Sequence, residues 1–250
     1  MTNFPTLAGI DASGQIIGEQ IYSSSTGSYA YLFIYDGSTF TNFTGPNISA
    51  ASALISVIND NGAIVGSFGA PFMSRIHGLL DIDGTFTTID DPDAAVSNSM
   101  TVTIANGINN AGQIVGSFVG SVGENGFLDT NGTFSTITDP LASTTPPGGG
   151  TYATGINNNG QIVGYYTDAT GIIFGFIDNS GTFTIISDPS AGGPHAQTIP
   201  AGINDAGAIV GDYVNAVGDH GFVDNDGCTR PSKIPMAGIR RPFRASMRPG

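Results

Sequence analysis

Charge is scarce in this sequence. Charged residues make up 11% of 250 positions, against about 25% in an ordinary soluble domain. Cations are scarcer still, with seven Lys+Arg against 20 Asp+Glu and a formal charge of −13. Nucleic acid is excluded as a partner on that ground, because phosphate binding needs clustered cations. The single cysteine, Cys228, rules out an internal disulfide framework and a cysteine-based zinc site. Tryptophan is absent, and glutamate occurs only at Glu19 and Glu124. No apolar run reaches the roughly 18 residues of a membrane helix. The start, Met1-Thr2-Asn3-Phe4-Pro5, has neither the basic end nor the apolar stretch of a secretory signal.

Glycine is abundant instead, at 37 residues, and its placement is periodic. A segment of the form Gly-Ile-Asn-x-x-Gly-x-Ile-Val-Gly recurs five times, beginning at Gly9, Val57, Gly107, Gly155 and Gly202, with spacings of 48, 50, 48 and 47 residues. A second segment, x-Gly-Phe-Leu-Asp-x-x-Gly-Thr-Phe-x-x-Ile-x-Asp-Pro, follows at His77–Pro92, Asn125–Pro140 and Phe174–Pro189. Weaker copies lie at Ala30–Phe43 and His220–Gly227. A fixed period near 50 is the signature of a repeat architecture.

Each unit reads as four short antiparallel strands. In the fourth, Tyr152–Asn157 and Gln161–Thr167 flank Asn158-Asn159-Gly160, whose residue types suit the positive φ of a hairpin turn. Ile172–Asp178 and Thr182–Ser187 form the second hairpin around Asn179-Ser180-Gly181. Pro189 closes the unit, since proline cannot donate to a ladder. The second strand carries adjacent apolar pairs, Ile16-Ile17, Ile64-Val65, Ile114-Val115, Ile162-Val163 and Ile209-Val210. Neighbours on a strand point to opposite faces, so both faces must be covered. The expected architecture is all-β: five four-stranded antiparallel sheets forming a five-bladed β-propeller, or else an open array or part of a larger ring.

These residues resemble the HAF-type extracellular repeat family, in which the Gly-Ile-Asn segment is followed by His-Gly-Phe. The resemblance spans residues 9 to 227. His77-Gly78-Leu79 and His220-Gly221-Phe222 keep the histidine, whereas Asn125 and Phe174 replace it. The resemblance implies a bacterial surface or secreted protein with a propeller-like fold, and supplies no catalytic residues. An export signal and a C-terminal sorting segment are usual in such proteins, and neither is visible here.

The pattern breaks near the C-terminus, where Cys228-Thr229-Arg230-Pro231 replaces the expected Thr-Phe-x-x-Ile strand. Residues 1–228 hold one cation and all 20 acids, whereas 229–250 hold six cations and no acid. The expected division is a repeat body over 1–228 and a basic, proline-containing, disordered tail over 229–250. A truncated or frame-shifted reading frame explains the switch; the alternative is a basic arm that docks on an acidic surface, its own ring included. The damaged last strand predicts an open blade edge and weak self-association through it.

Candidate chemistry is sparse. Asp81 and Asp83, and Asp224 and Asp226, stand at the alternating positions of a calcium loop, without its downstream glutamate. The competing reading is turn chemistry, since the matching positions Asn131 and Ser180 lack carboxylates. His77 and His220 share one repeat position, which implies a packing role, and His195 reads as a solvated loop residue. The aromatics after Ile-Val-Gly (Phe68, Phe118, Tyr165, Tyr166 and Tyr213) are expected between blades. No nucleophile elbow, zinc-protease motif or phosphate loop is present. No catalytic residue or organic cofactor is therefore assigned. The expected function is a non-catalytic surface or secreted repeat domain for binding or envelope structure, with its ligand open and carbohydrate or another surface protein as candidate partners. The rival is a glycosidase-like propeller enzyme using aspartates; a third reading is a degraded frame without selected function.

Overall fold

A computed structural model describes residues 5–24, 27–43, 53–69, 75–94, 101–121, 123–144, 149–188, 190–191, 197–225 and 229–231. These form twenty strands and no helix. No helix long and apolar enough to cross a membrane is present among them.

The strands fall into five units of four. Unit 1 holds β1 (Pro5–Ile10), β2 (Ile16–Ser24), β3 (Gly27–Tyr35) and β4 (Phe40–Phe43). Unit 2 holds β5 (Ala53–Ile58), β6 (Ile64–Gly69), β7 (Arg75–Ile82) and β8 (Thr85–Ile89). Unit 3 holds β9 (Thr101–Ile108), β10 (Gln113–Gly120), β11 (Gly123–Thr130) and β12 (Thr133–Ile137). Unit 4 comprises β13 (Gly150–Ile156), β14 (Gln161–Thr167), β15 (Ile173–Asn179) and β16 (Thr182–Ile186). Unit 5 comprises β17 (Gln197–Ile203), β18 (Ile209–Asn215), β19 (Gly218–Asp224) and β20 (Thr229–Pro231). Within every unit consecutive strands pair antiparallel.

The units are not separate sheets. The third strand of one touches the first strand of the next in parallel, at Arg75 with Thr101, Glu124 with Gly150, and Ile173 with Gln197. Units 2 to 5 thereby share one sixteen-stranded sheet, while unit 1 remains a sheet of four. Sequence patterning gave no sign of these parallel contacts, which need only one or two backbone pairs and no particular side chain.

The apolar core lies between units, as the adjacent Ile-Val pairs require. Val115 and Ile137 of unit 3 pack with Ala153, Ile156, Ile162, Tyr166 and Phe176 of unit 4. Val65 and Ile89 meet Ile108, Ile114, Phe118 and Phe127 in the same way one junction earlier. Val163 and Ile186 meet Ile209, Tyr213 and Phe222 one junction later. Between units 1 and 2 the cluster is smaller, with Ile17, Ile58 and Ile64 at its centre. At about 25 cal/mol per Å² of apolar surface removed from water, such junctions are the main favourable term in a repeat array.

The two ends of the array are open. Ile10 is 64% exposed, whereas its repeat equivalents Ile58, Ile108 and Ile156 are at most 8% exposed. Among the described residues no strand ladder joins β1–β4 to β17–β20. Their strand ladders run in series and do not close on themselves.

The fourth strand of unit 5 does form, from residues that the sequence assigned to the tail. Thr229, Arg230 and Pro231 pair with Asp224, Val223 and Phe222. Pro231 is tolerated because β20 is the edge of its sheet, where a missing N–H costs no ladder bond. Cys228 and residues 232–250 lie outside the described residues.

A belt of turns and the clefts between units

The turn between the first two strands of each unit is built by one side chain. The Oδ1 of Asn109 accepts hydrogen bonds from the N–H groups of Ala111 and Gln113, at 3.1 and 3.0 Å. Asn157 does the same for Asn159 and Gln161, and Asn59 for Asn61 and Ala63. This local bonding is why Asn and Asp favour turns.

The amide nitrogen of the same residue does something the turn does not need. Asn59 Nδ2 donates to the carbonyl of Asn109 at 2.9 Å, Asn109 Nδ2 to that of Asn157 at 3.2 Å, and Asn157 Nδ2 to that of Asn204 at 3.0 Å. A second set of rungs runs beside it. The N–H of Asp60 donates to Asn110 Oδ1, that of Asn110 to Asn158 Oδ1, and that of Asn158 to Asp205 Oδ1. The five turns therefore form one hydrogen-bonded belt. In unit 1 the first position is Asp11, which has no amide to donate; the link to unit 2 is the N–H of Ala12 on Asp60 Oδ1.

Beside this belt lie two clefts that are repeats of each other. One, of about 530 Å³, separates units 2 and 3; the other, of about 510 Å³, separates units 3 and 4. Leu80, Thr88, Ile89, Asn110, Ile114 and Asp129 line the first. Their repeat equivalents Leu128, Thr136, Ile137, Asn158, Ile162 and Asp178 line the second. Each cleft thus combines an aliphatic wall with hydroxyls, amides and a carboxylate. Among the described residues the side chains of Thr87, Thr88 and Asn131 make no hydrogen bond, which leaves a donor-acceptor rim facing the first cleft.

Of the predicted calcium positions, Asp81 lies near the end of β7, Asp83 in the β7–β8 turn and Asp224 at the end of β19, while Asp226 lies outside the described residues. Among the described residues no three His, Cys, Asp or Glu side chains converge as metal ligands. Asp83, Asn131 and Ser180 have φ of 52°, 53° and 54°, and each precedes a glycine with positive φ. This is the two-residue hairpin geometry that Asp-Gly, Asn-Gly and Ser-Gly accommodate. Asp129 and Asp178 brace these turns by accepting the N–H of Gly132 and Gly181 at 2.7 Å.

The histidines sit where side-chain packing explains them. His77 stands opposite Phe68 across β6 and β7, with ring centroids 5.3 Å apart, and its Nδ1 lies 2.8 Å from Asp90 Oδ1. His220 stacks on Tyr213 at 4.9 Å, and Phe174 on Tyr166 at 5.6 Å in the equivalent place. One cross-strand pair thus recurs, filled by different planar groups. His195 lies outside the described residues.

Several carboxyls are buried without cations. Burial raises Asp81, Asp91, Asp129, Asp139, Glu19 and Glu124 above the ordinary carboxylate range. Asp36 and Asp205 are lowered, chiefly by backbone hydrogen bonds from Thr39 and Asn158 respectively. Asp168 is also lowered, its burial outweighed by bonds from Thr170 and Ile172. A carboxyl raised in the fold contributes stability below its unfolded pKa and loses it as pH rises through its folded pKa. The lowered groups lose theirs only below the ordinary range. The melting temperature is therefore expected to be higher at pH 5 than at pH 7.5. Scanning calorimetry showing a fall between those values on acidification would contradict this.

No family model matches the chain, and no curated protein does. Solved structures do resemble it in fold. A mutant of the Aleuria aurantia lectin AAL, in complex with Fucα1-6GlcNAc, is 14% identical with a TM-score of 0.54, over 96% of this chain and 80% of that one. The fucose-specific lectin from Aleuria aurantia, as a mercury derivative, is 14% identical with a TM-score of 0.53, over 91% and 76%. TolB from Acinetobacter baumannii is 12% identical with a TM-score of 0.56, over 92% of this chain and 55% of that one. The fold is β-propeller-like. The two clefts lie between consecutive units of this fold.

Proposed function

We propose that this chain is a non-catalytic carbohydrate-binding domain of five propeller blades, secreted or displayed on a bacterial surface, of the kind that the HAF-type repeats build. The observation that carries the reading is the repetition of one cleft at successive blade junctions. A sugar offers hydroxyls that both donate and accept, beside patches of apolar C–H. Thr87, Thr88 and Asn131 match the first property, and Leu80 and Ile114 the second. Likeness in fold to two structures of Aleuria aurantia fucose-binding lectin supports the choice of carbohydrate over a surface protein as ligand. Repeated weak sites on one rigid body favour branched or repetitive glycans through avidity.

A glycan array probed with the labelled protein tests this directly. Binding is expected for at least one saccharide class. The double variant Thr88→Val with Asn131→Leu should weaken a hit at least tenfold, as loss of two hydrogen bonds to the sugar implies. No binding on a broad array would overturn the carbohydrate reading. Protease shaving of intact source cells tests the location, which requires the protein to be accessible from outside.

One observation favours the rival enzyme. The cleft between units 2 and 3 holds two carboxylates, Asp90 and the raised Asp129, and an acid–base pair of this type cleaves glycosidic bonds. Against it, Asp129 has a counterpart in other units and is engaged by its own turn. Any sugar found to bind is expected to survive prolonged incubation unhydrolysed. Release of reducing ends that Asp90→Asn abolishes would reverse the assignment.

A further inference from the structure

Each internal junction joins two different faces, and one copy of each is left uncovered at the ends of the series of units. The leading face of a unit presents its first-strand isoleucine, and the trailing face the valine of its second strand. Leu7 and Ile10 on the leading face of unit 1 are 63% and 64% exposed; Ala105 and Ala153, equivalent to Leu7, are fully buried. Val210 on the trailing face of unit 5 is 48% exposed, whereas Val65, Val115 and Val163 are completely covered. The belt shows the same thing. Asn204 is exposed, and among the described residues its amide nitrogen has no partner, while Asn59, Asn109 and Asn157 each reach the next unit.

We propose that a second copy of this chain docks head to tail, with the leading face of its unit 1 on the trailing face of unit 5. The internal junctions supply the template, since each shows the same two faces packed together. In this contact Asn204 donates to the carbonyl of Asp11 of the next copy, as Asn157 donates to Asn204. The second rung is missing, because position 12 is alanine where the other units have Asp60, Asn110, Asn158 and Asp205. With one rung and a short β20 behind Val210, the contact is weaker than an internal junction and forms reversibly. It is a heterologous contact, so its two halves are separable by mutation.

Light scattering on the full chain across a concentration series tests this. The wild type is expected to grow in mass with concentration, and more so in high salt, which screens the repulsion between acidic copies. Ile10→Glu and Val210→Glu should each abolish the growth. An equimolar mixture of the two should form a species of twice the monomer mass and nothing larger, because each variant retains one intact face. Ala12→Asn, which restores the missing rung, should shift the wild-type equilibrium toward the larger species by several fold. All of these positions are exposed, so unchanged circular dichroism and melting in dilute protein are expected. A wild type that stays monomeric at all concentrations, as closure of the ring within one chain would give, overturns the proposal. So does Val210→Glu that still self-associates, the mark of a face-to-same-face dimer. Association lost in high salt also overturns it, as it would indicate pairing of the basic tail with an acidic body.

Discussion

Asn109→Asp is expected to cost about 3 kcal/mol, because two donated bonds are lost and a buried charge faces two acceptors. For a chain of this length that corresponds to a fall of about 6–12 °C in melting temperature. The turn itself keeps everything it uses, since an aspartate oxygen still accepts from Ala111 and Gln113. What disappears is donation to Gln113 Oε1 and to the carbonyl of Asn157 in the next unit. Asn204→Asp is the control: it has the same repeat position but no following unit among the described residues. In dilute protein it should change stability by no more than about 0.5 kcal/mol. The converse change, Asp11→Asn, gives unit 1 the amide it lacks. It is expected to stabilise the chain by about 1 kcal/mol, the net value of one added hydrogen bond. Equal losses for Asn109→Asp and Asn204→Asp would show that the belt between units contributes nothing.

The second large effect is expected at Gly164. Opposite it, β13 carries a bulge between Ala153 and Gly155, and the equivalent irregularity occurs in the first strand of every unit. The bulge turns the carbonyl of Tyr152 over Gly164, so that a Cβ there would be driven into that oxygen and stand 2.7 Å from the Phe176 ring. Neither obstacle can yield. One is backbone held in the ladder, and the other is a fully buried ring in the core between units 3 and 4. Gly164→Ala should therefore cost about 3 kcal/mol, the upper end of the usual range for overpacking. Urea unfolding provides the measurement, with Gly202→Ala, where a Cβ meets nothing within 4 Å, as the tolerant comparison. A Gly164→Ala protein as stable as wild type would mean that the bulge is not where the structure puts it.

Strand boundaries in unit 4 differ between sequence reading and structure by at most two residues, and the hairpins fall on the expected Asn-x-x-Gly and Ser-Gly positions. Those features depend on atoms a few positions apart. The adjacent Ile-Val pairs likewise announced two covered faces, and the clusters between units are formed by those pairs. The belt was harder to read. A turn needs only an oxygen at position 109, so nothing nearby distinguishes a structural asparagine from an aspartate; the amide matters because a carbonyl from the next repeat arrives beside it. The glycine of Ile-Val-Gly has its nearest obstacle in the bulged strand of its own unit, and bulges leave little trace in a pattern of apolar and polar residues. The clefts were unreadable for a related reason, since their walls come from consecutive units and consist of ordinary Thr, Ile and Asn.

The sequence by itself determined the unit: its four strands, its turns and the two oily faces of its second strand, all from interactions spanning a few tens of residues. The tertiary structure decided how units meet, where clefts open and which faces stay bare. Val163 and Val210 show why. They hold the same place in the repeat, with the same neighbours in sequence, yet one is fully covered and the other 48% exposed. Unit 5 packs on Val163, and among the described residues no unit packs on Val210.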